Sequence, residues 1–188
     1  APPVELLTLA QAGVTVPEPV EDQPTFEGNA LLKARYYAQH AGQPCLADDS
    51  GLEVDALGGA PGVISARYAG VSGPRAVVDP ANNRRLLAEL AGVPIARRTA
   101  RFVCTMALVV DAPSTPQVVR GTVEGRILLP EETSDPAQPE RGRGSHGFGY
   151  DPLFLMAALG KTTAELTSAE KNAISHRGQA ARLLWRQL

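Results

Sequence analysis

Pro44-Cys45-Leu46-Ala47-Asp48-Asp49-Ser50-Gly51 is the stretch that organises the chain. An apolar run leads into two adjacent carboxylates, a hydroxyl and a glycine. The pattern predicts a buried strand ending in an acidic turn, and strand ends in α/β folds are where ligands and metals collect. Two neighbouring acids repel unless a cation lies beside them. Asp48 and Asp49 are therefore candidate ligands for a divalent ion. A solvated Asp-Asp-Ser-Gly turn is the other reading, because all four residue types favour turns.

Upstream, Thr25 to Ala41 predicts a helix, with Thr25 as N-cap, Glu27 in the first turn and Gly42 as the stop. Phe26, Ala30, Ala34, Tyr37 and Ala41 form an apolar stripe at helical spacing. Lys33 falls between stripe positions, where it would flank a groove. Before this helix runs a Pro- and acid-rich loop, residues 14–24, with Glu18, Glu21 and Asp22. Acids so placed can complete a metal site. Val4 to Leu9 reads as a short strand.

Downstream, Gly58-Gly59-Ala60-Pro61-Gly62 predicts a tight irregular turn. Asp79-Pro80 opens a helix that runs through Leu90 and stops at Gly92. Arg98 to Asp111 is the clearest long strand, apolar on both faces and hence central. Val118 to Leu128 is its partner, with Gly121 and Gly125 as bulge or bend points. Leu129 to Gly144 is a Pro/acid/Arg loop, and Leu153-Phe154-Leu155 a short strand. Thr167-Ser168-Ala169-Glu170 is a capping box. Ser175 caps a last helix with Ala180, Leu183, Leu184 and Leu188 on its apolar face, which puts His176 and Arg177 in the first turn. Strands and helices alternate, so the class is α/β with a mixed sheet.

The chain has 188 residues, enough for one large domain or two small lobes around a shared sheet. A net charge of −2 argues against bulk nucleic-acid binding. No apolar run reaches membrane length and no signal-peptide pattern is seen, so the cytoplasm is the expected compartment. Cys45 and Cys104 lie in apolar runs and read as free thiols of a reducing compartment. Arginines outnumber lysines 15 to 3. Lys33, Lys161 and Lys171 are thus places where a compact ammonium is used instead of a planar fork.

Three groups of residues divide the work of handling a nucleotide. Glu21, Asp48 and Asp49 suit Mg²⁺, which takes oxygen ligands and bridges to phosphates. Lys33 and Lys171 would neutralise a polyphosphate, and Ser50 would donate to a phosphate oxygen. Phe148, Asp151, His176 and Arg177 would form a base pocket. Phe148 lies in Gly147-Phe148-Gly149-Tyr150-Asp151-Pro152, where an aromatic between glycines is better placed to stack on a ligand ring than to fill a core.

Five segments in order resemble the inosine triphosphate pyrophosphatase family. They are Thr25-Phe26-Glu27-Gly28-Asn29-Ala30-Leu31-Leu32-Lys33-Ala34, Ala47-Asp48-Asp49-Ser50-Gly51-Leu52, Gly58 to Gly62 with Ser65-Ala66-Arg67-Tyr68, Gly147 to Pro152, and Ser175-His176-Arg177-Gly178. The resemblance runs from about Glu21 to Leu188. It implies one domain with an elongated mixed central sheet flanked by helices, and two lobes with a cleft between them. It implies Mg²⁺-dependent hydrolysis of ITP, dITP and XTP to the monophosphate and pyrophosphate, in a homodimer. Asp49 would be the general base and a metal ligand, with Asp48 supporting and Glu21 helping to hold the ion. Lys33 and Ser50 would contact phosphates. Phe148 would stack on the purine, with Gly149, Tyr150 and Asp151 completing that wall. Lys171, His176 and Arg177 would favour a 6-keto purine.

The sequence departs from the family in three places. The family opens with a strand and a Ser/Thr-Gly-Asn-x-x-Lys loop that cradles the triphosphate, and this sequence begins at Ala1 without it. Gly28 stands where many relatives have glutamate, and His146 where a smaller residue is common. A pyrophosphatase for modified pyrimidine nucleotides and a nucleotide-binding module without turnover are the alternative readings. Acids gathered beside a phosphate site count against the second, since a pure binder has no use for them.

Overall fold

A computed structural model of the chain describes residues 4–111 and 114–187. Five strands form one sheet in the order β1-β2-β3-β4-β5. They are β1 (Cys45–Val54), β2 (Thr99–Val109), β3 (Gln117–Ile127), β4 (Phe154–Met156) and β5 (Lys161–Thr162). The helices are α1 (Phe26–Ala41), α2 (Arg75–Glu89), α3 (Ser168–Ile174) and α4 (His176–Trp185). The α/β class holds. Each pairing in this sheet is antiparallel, where a mixed sheet was expected. The reason is the excursion between β1 and β2. It carries α2 but returns to the end it left, pairing Val54 with Ala100, so α2 makes no crossover to a parallel neighbour.

Local signals explain most element ends. The Thr25 hydroxyl accepts from the Gly28 N–H, and the Gly42 N–H closes α1 onto the Ala38 carbonyl. A cap of the Thr25 kind is worth about 1 kcal/mol. Thr167 and Ser175 cap α3 and α4 in the same way. Three expectations shift. Val4 to Leu9 forms no strand and is largely exposed. The strand at Cys45 does not end at the acids but runs through them, because β2 pairs along its whole length. The second helix starts at Arg75, with Pro80 inside it. Asp79 does not cap this helix, since its carboxylate accepts from the Gly149 N–H at 2.8 Å.

The long strands carry helices in two regions. At one end α1 packs Ala30 and Ala34 on Ala107 and Val109. On the opposite face α4 packs Ala180 and Leu184 on Cys104, Met106 and Val119. At the other end a larger core gathers Leu52, Val54, Leu86, Leu90, Phe102, Ile127 and Phe154. Arg98 is buried at the end of this larger core and donates to the carbonyls of Leu90, Val93 and Leu128, tying the end of α2 to the end of β3. Gly121 and Gly125 are not bulges, for the β2–β3 register runs through both unbroken. Gly121 is glycine because α4 lies on it. A Cβ there would sit 2.6 Å from the Ala180 nitrogen and closer still to the His176 carbonyl oxygen. Leu183 is exposed, and Leu188 lies outside the described residues.

Candidate active site

The acids sit in the middle of β1, and alternation along a strand sends neighbours to opposite faces. Asp49 turns toward α1 and is 8 % exposed. Its Oδ2 accepts from the Asn29 amide at 3.1 Å, and its Oδ1 from Lys33 Nζ at 3.3 Å. The same Nζ lies 3.1 Å from Glu21 Oε1. Asn29 and Lys33 are one helical turn apart on α1, so one face of that helix meets the strand with both. Asn29 also accepts the Gln23 N–H, and Arg67 donates to the Glu21 carbonyl, so the acidic loop is held in place at two points.

Asp48 turns the other way. Its Oδ2 accepts from Arg177 at 2.8 and 3.2 Å, from Ser50 Oγ at 3.0 Å and weakly from the Cys104 thiol. The expectation that Asp48 and Asp49 share one ion meets a geometry that sends the two carboxylates to different partners. Adjacent side chains on a strand diverge, and Asp48 gives its Oδ2 to Arg177 and Ser50. Ser50 likewise belongs to the Arg177 face and not to Lys33. The two carboxylates project from opposite faces of β1, whose far end also bridges Pro61 through Glu53 on the side away from β2.

The surroundings separate the two carboxyls chemically. Burial pushes the Asp49 carboxyl above the ordinary aspartate value, with Glu21 adding to the shift, against the opposing pull of Lys33 and Asn29. Burial also acts on Asp48, but the charge and hydrogen bonds of Arg177, helped by Ser50, outweigh it and hold that carboxyl below the usual value. Burial pushes the Cys104 thiol up to about 11, so it stays protonated.

The second group lies about α3 and α4 and the loop that carries Phe148. The His176 ring stacks on Phe102 with centroids 5.2 Å apart. Burial, with Arg177 and Lys171 nearby, pulls His176 down to about 4, so its ring is neutral at neutral pH. His176, Lys171, Ser175 and Phe102 line a small cleft there. Phe148 is 53 % exposed. Its loop is fixed from behind, since Asp151 accepts from the Phe148 N–H, the Thr163 hydroxyl and Lys171. Gly149 is held by Asp79 through its N–H and by Asn83 through its carbonyl. Tyr150 is buried, with its hydroxyl donating to the Ser65 carbonyl. Of this loop's side chains, Phe148 is the exposed one. Tyr150 and Asp151, expected with Gly149 as pocket wall, are buried behind it.

Asn29, Asp79 and Asn83 were not anticipated. Asn29 did carry a signal, being a polar residue on the buried side of an apolar helix and one turn before Lys33. Asp79 and Asn83 carried none, because their partner Gly149 is far along the chain.

An oxygen-rich pair of acids around an ammonium, with an arginine, a neutral imidazole and an exposed aromatic ring across the strand edge, defines an α/β protein equipped for an anionic ligand bearing a flat ring. The chain belongs to the Ham1 family, whose sequence profile matches residues 2–187. It is 51% identical over 170 residues to a dITP/XTP pyrophosphatase of Exiguobacterium sibiricum, covering 90% of this chain and 78% of that protein. It is 50% identical over 175 residues to a dITP/XTP pyrophosphatase of Methylococcus capsulatus, covering 93% and 80%. Among solved structures, a HAM1 protein from Coxiella burnetii superposes with a TM-score of 0.77 at 41% identity, over 92% of this chain and 80% of that one. The nucleoside-triphosphatase, or dITP/XTP pyrophosphatase, of Mycobacterium abscessus gives 0.74 at 43% identity, over 96% and 86%. No described helix is long and apolar enough to cross a membrane.

Proposed function

We propose that the protein hydrolyses deaminated purine nucleoside triphosphates, ITP, dITP and XTP, between the α- and β-phosphates, releasing the monophosphate and pyrophosphate. The observation that carries this is the Asp49 carboxylate, half-enclosed between Asn29 and Lys33 with Glu21 beside them, in a chain whose relatives are dITP/XTP pyrophosphatases. Asp49 takes a proton from the attacking water. Burial makes it a stronger base than a free aspartate, and Asn29 fixes one oxygen so that the other is aimed. Lys33 offers its ammonium to the phosphates.

Glu21 and Asp49 fit a hard divalent ion, since their oxygens converge on one point that a cationic nitrogen already occupies. Among the described residues no third acid, histidine or cysteine joins them. That suits Mg²⁺, which is held by one or two carboxylates and completes its shell with water and substrate phosphates. When bound it would stabilise charge on the phosphates and the leaving pyrophosphate. Asp48 is not a ligand in this scheme. It holds Arg177, which with Lys171 presents donors to the ring oxygen of a 6-keto purine stacked on Phe148. An adenine amine at that place leaves those donors unpaired, a penalty that is large in buried sites. A single domain and a homodimer belong to the same proposal, the first supported by one sheet running through both packed regions and the second by family resemblance.

Pyrophosphate release from ITP, dITP, XTP and ATP with Mg²⁺ tests the proposal. ITP, dITP and XTP are expected to turn over and ATP to lag by at least about 100-fold, the scale of a missed hydrogen-bond match. Equal turnover of ATP would overturn the specificity.

A further inference from the structure

Arg75 is the first residue of α2, where a cation opposes the helix dipole. It is exposed and makes no ion pair among the described residues. Its guanidinium carbon lies 4.2 Å from the centroid of the Phe148 ring. That is about the separation of stacked rings, so the guanidinium occupies a layer where a flat ligand would lie. The placement is enforced from below. Asp79 and Asn83, one and two turns further along α2, hold Gly149, so helix and aromatic loop move as one unit. Lys171 approaches the same ring at 5.4 Å. A planar, weakly hydrated guanidinium stacks on aromatic faces, which an ammonium does less well. With no carboxylate to hold it, Arg75 is free to lift from Phe148 and settle on the outer face of an arriving ring.

We propose that Arg75 is a further substrate-binding residue of the base pocket, sandwiching the purine of the substrate between its guanidinium and the Phe148 ring. This rests on the reading that the base stacks on Phe148. It adds a second wall supplied by α2, a helix outside the motifs that mark the site. The wall acts on binding, since neither side chain hydrogen-bonds or ion-pairs with Asp49 or Lys33. Both side chains are exposed, so their replacement leaves the core untouched.

Steady-state kinetics with ITP on four variants test it. Arg75→Ala is expected to raise KM about 3- to 10-fold, the range of a partly desolvated cation–π contact, with kcat held within about twofold. Arg75→Lys recovers less than half of that loss, and Arg75→Ala adds nothing in a Phe148→Leu background. Unchanged or lowered KM in Arg75→Ala, full recovery by lysine, or a full added effect on Phe148→Leu would each overturn the sandwich. Phe148→Leu alone separates the two layers of reasoning. If it leaves KM unchanged, base stacking itself fails; if it raises KM while Arg75→Ala does not, only the role of Arg75 fails.

Discussion

Asp48 and Asp49 are neighbours in sequence and strangers in space. On the α1 face, Asp49 is nearly buried, shares one ammonium with Glu21 and is pushed toward protonation. On the α4 face, Asp48 is paired to Arg177 and held ionised. One peptide bond separates a carboxylate fit to accept a proton from one fit to anchor a cation. Strand alternation makes the difference, and each face supplies its own helix. Under the proposed function, chemistry on phosphates belongs with α1, and reading of the ring with α4 and the Phe148 loop.

The largest expected break in this division is Asp49→Asn. Loss of the base should cut pyrophosphate release by about 10²- to 10⁴-fold. Stability should move the other way. A carboxyl whose folded-state pKa is raised stabilises the fold below its unfolded value and loses that contribution as pH rises through the folded one. At neutral pH the ionised Asp49 is therefore a liability, and the asparagine variant should melt no lower than the parent. A clearly lower melting temperature, or retained turnover, would contradict the assignment.

Next in size is Gly121→Ala, which presses on α4 without touching α1. An added methyl against the backbone of α4 should cost about 1–3 kcal/mol, read from urea unfolding. KM should rise as His176 and Arg177 shift, while kcat falls far less than in Asp49→Asn. Parental stability in this variant would mean that α4 does not bear on Gly121 as described.

The smallest effect is Asp48→Asn. Arg177 is half exposed, so the ion pair is worth only about 1 kcal/mol after discounting for solvent. The sign is opposite to that of Asp49. A lowered folded-state pKa gives stability that is present above the unfolded value and lost as pH falls through the folded one. The gap between parent and variant in urea midpoint should be open at pH 7 and close in acid below the ordinary aspartate range. KM for ITP should rise with kcat nearly kept. Loss of kcat as severe as in Asp49→Asn would merge the two faces and break the comparison.

Much of the framework was legible because its signals are local. The Thr25 and Ser175 caps, the stripe Phe26-Ala30-Ala34 and the doubly apolar run in β2 each depend on residues a few positions apart. The acidic stretch was legible as a strand but not in its extent, since only pairing to β2 carries the strand on to Val54. The start of α2 was misplaced because Asp79-Pro80 has the composition of a helix start, while the Asp79 carboxylate is taken by Gly149. The glycines of β3 looked like bulges and are instead contact surfaces for α4 and for Phe154 and Leu155.

Residue order alone already settled the α/β class and the helices that carry Lys33 and Arg177, and it named the acids, cations and exposed aromatic of the proposed nucleotide site. Capping and periodicity act over single turns, so they are written directly in the chain. Tertiary structure decided which of those residues meet. It parted Asp48 from Asp49, gave Lys33 to the acids and Arg177 to Asp48, turned Tyr150 and Asp151 inward, and brought Arg75 over Phe148. Those meetings join positions tens of residues apart across a sheet. They follow from strand register and helix docking, which depend on the whole packed core at once.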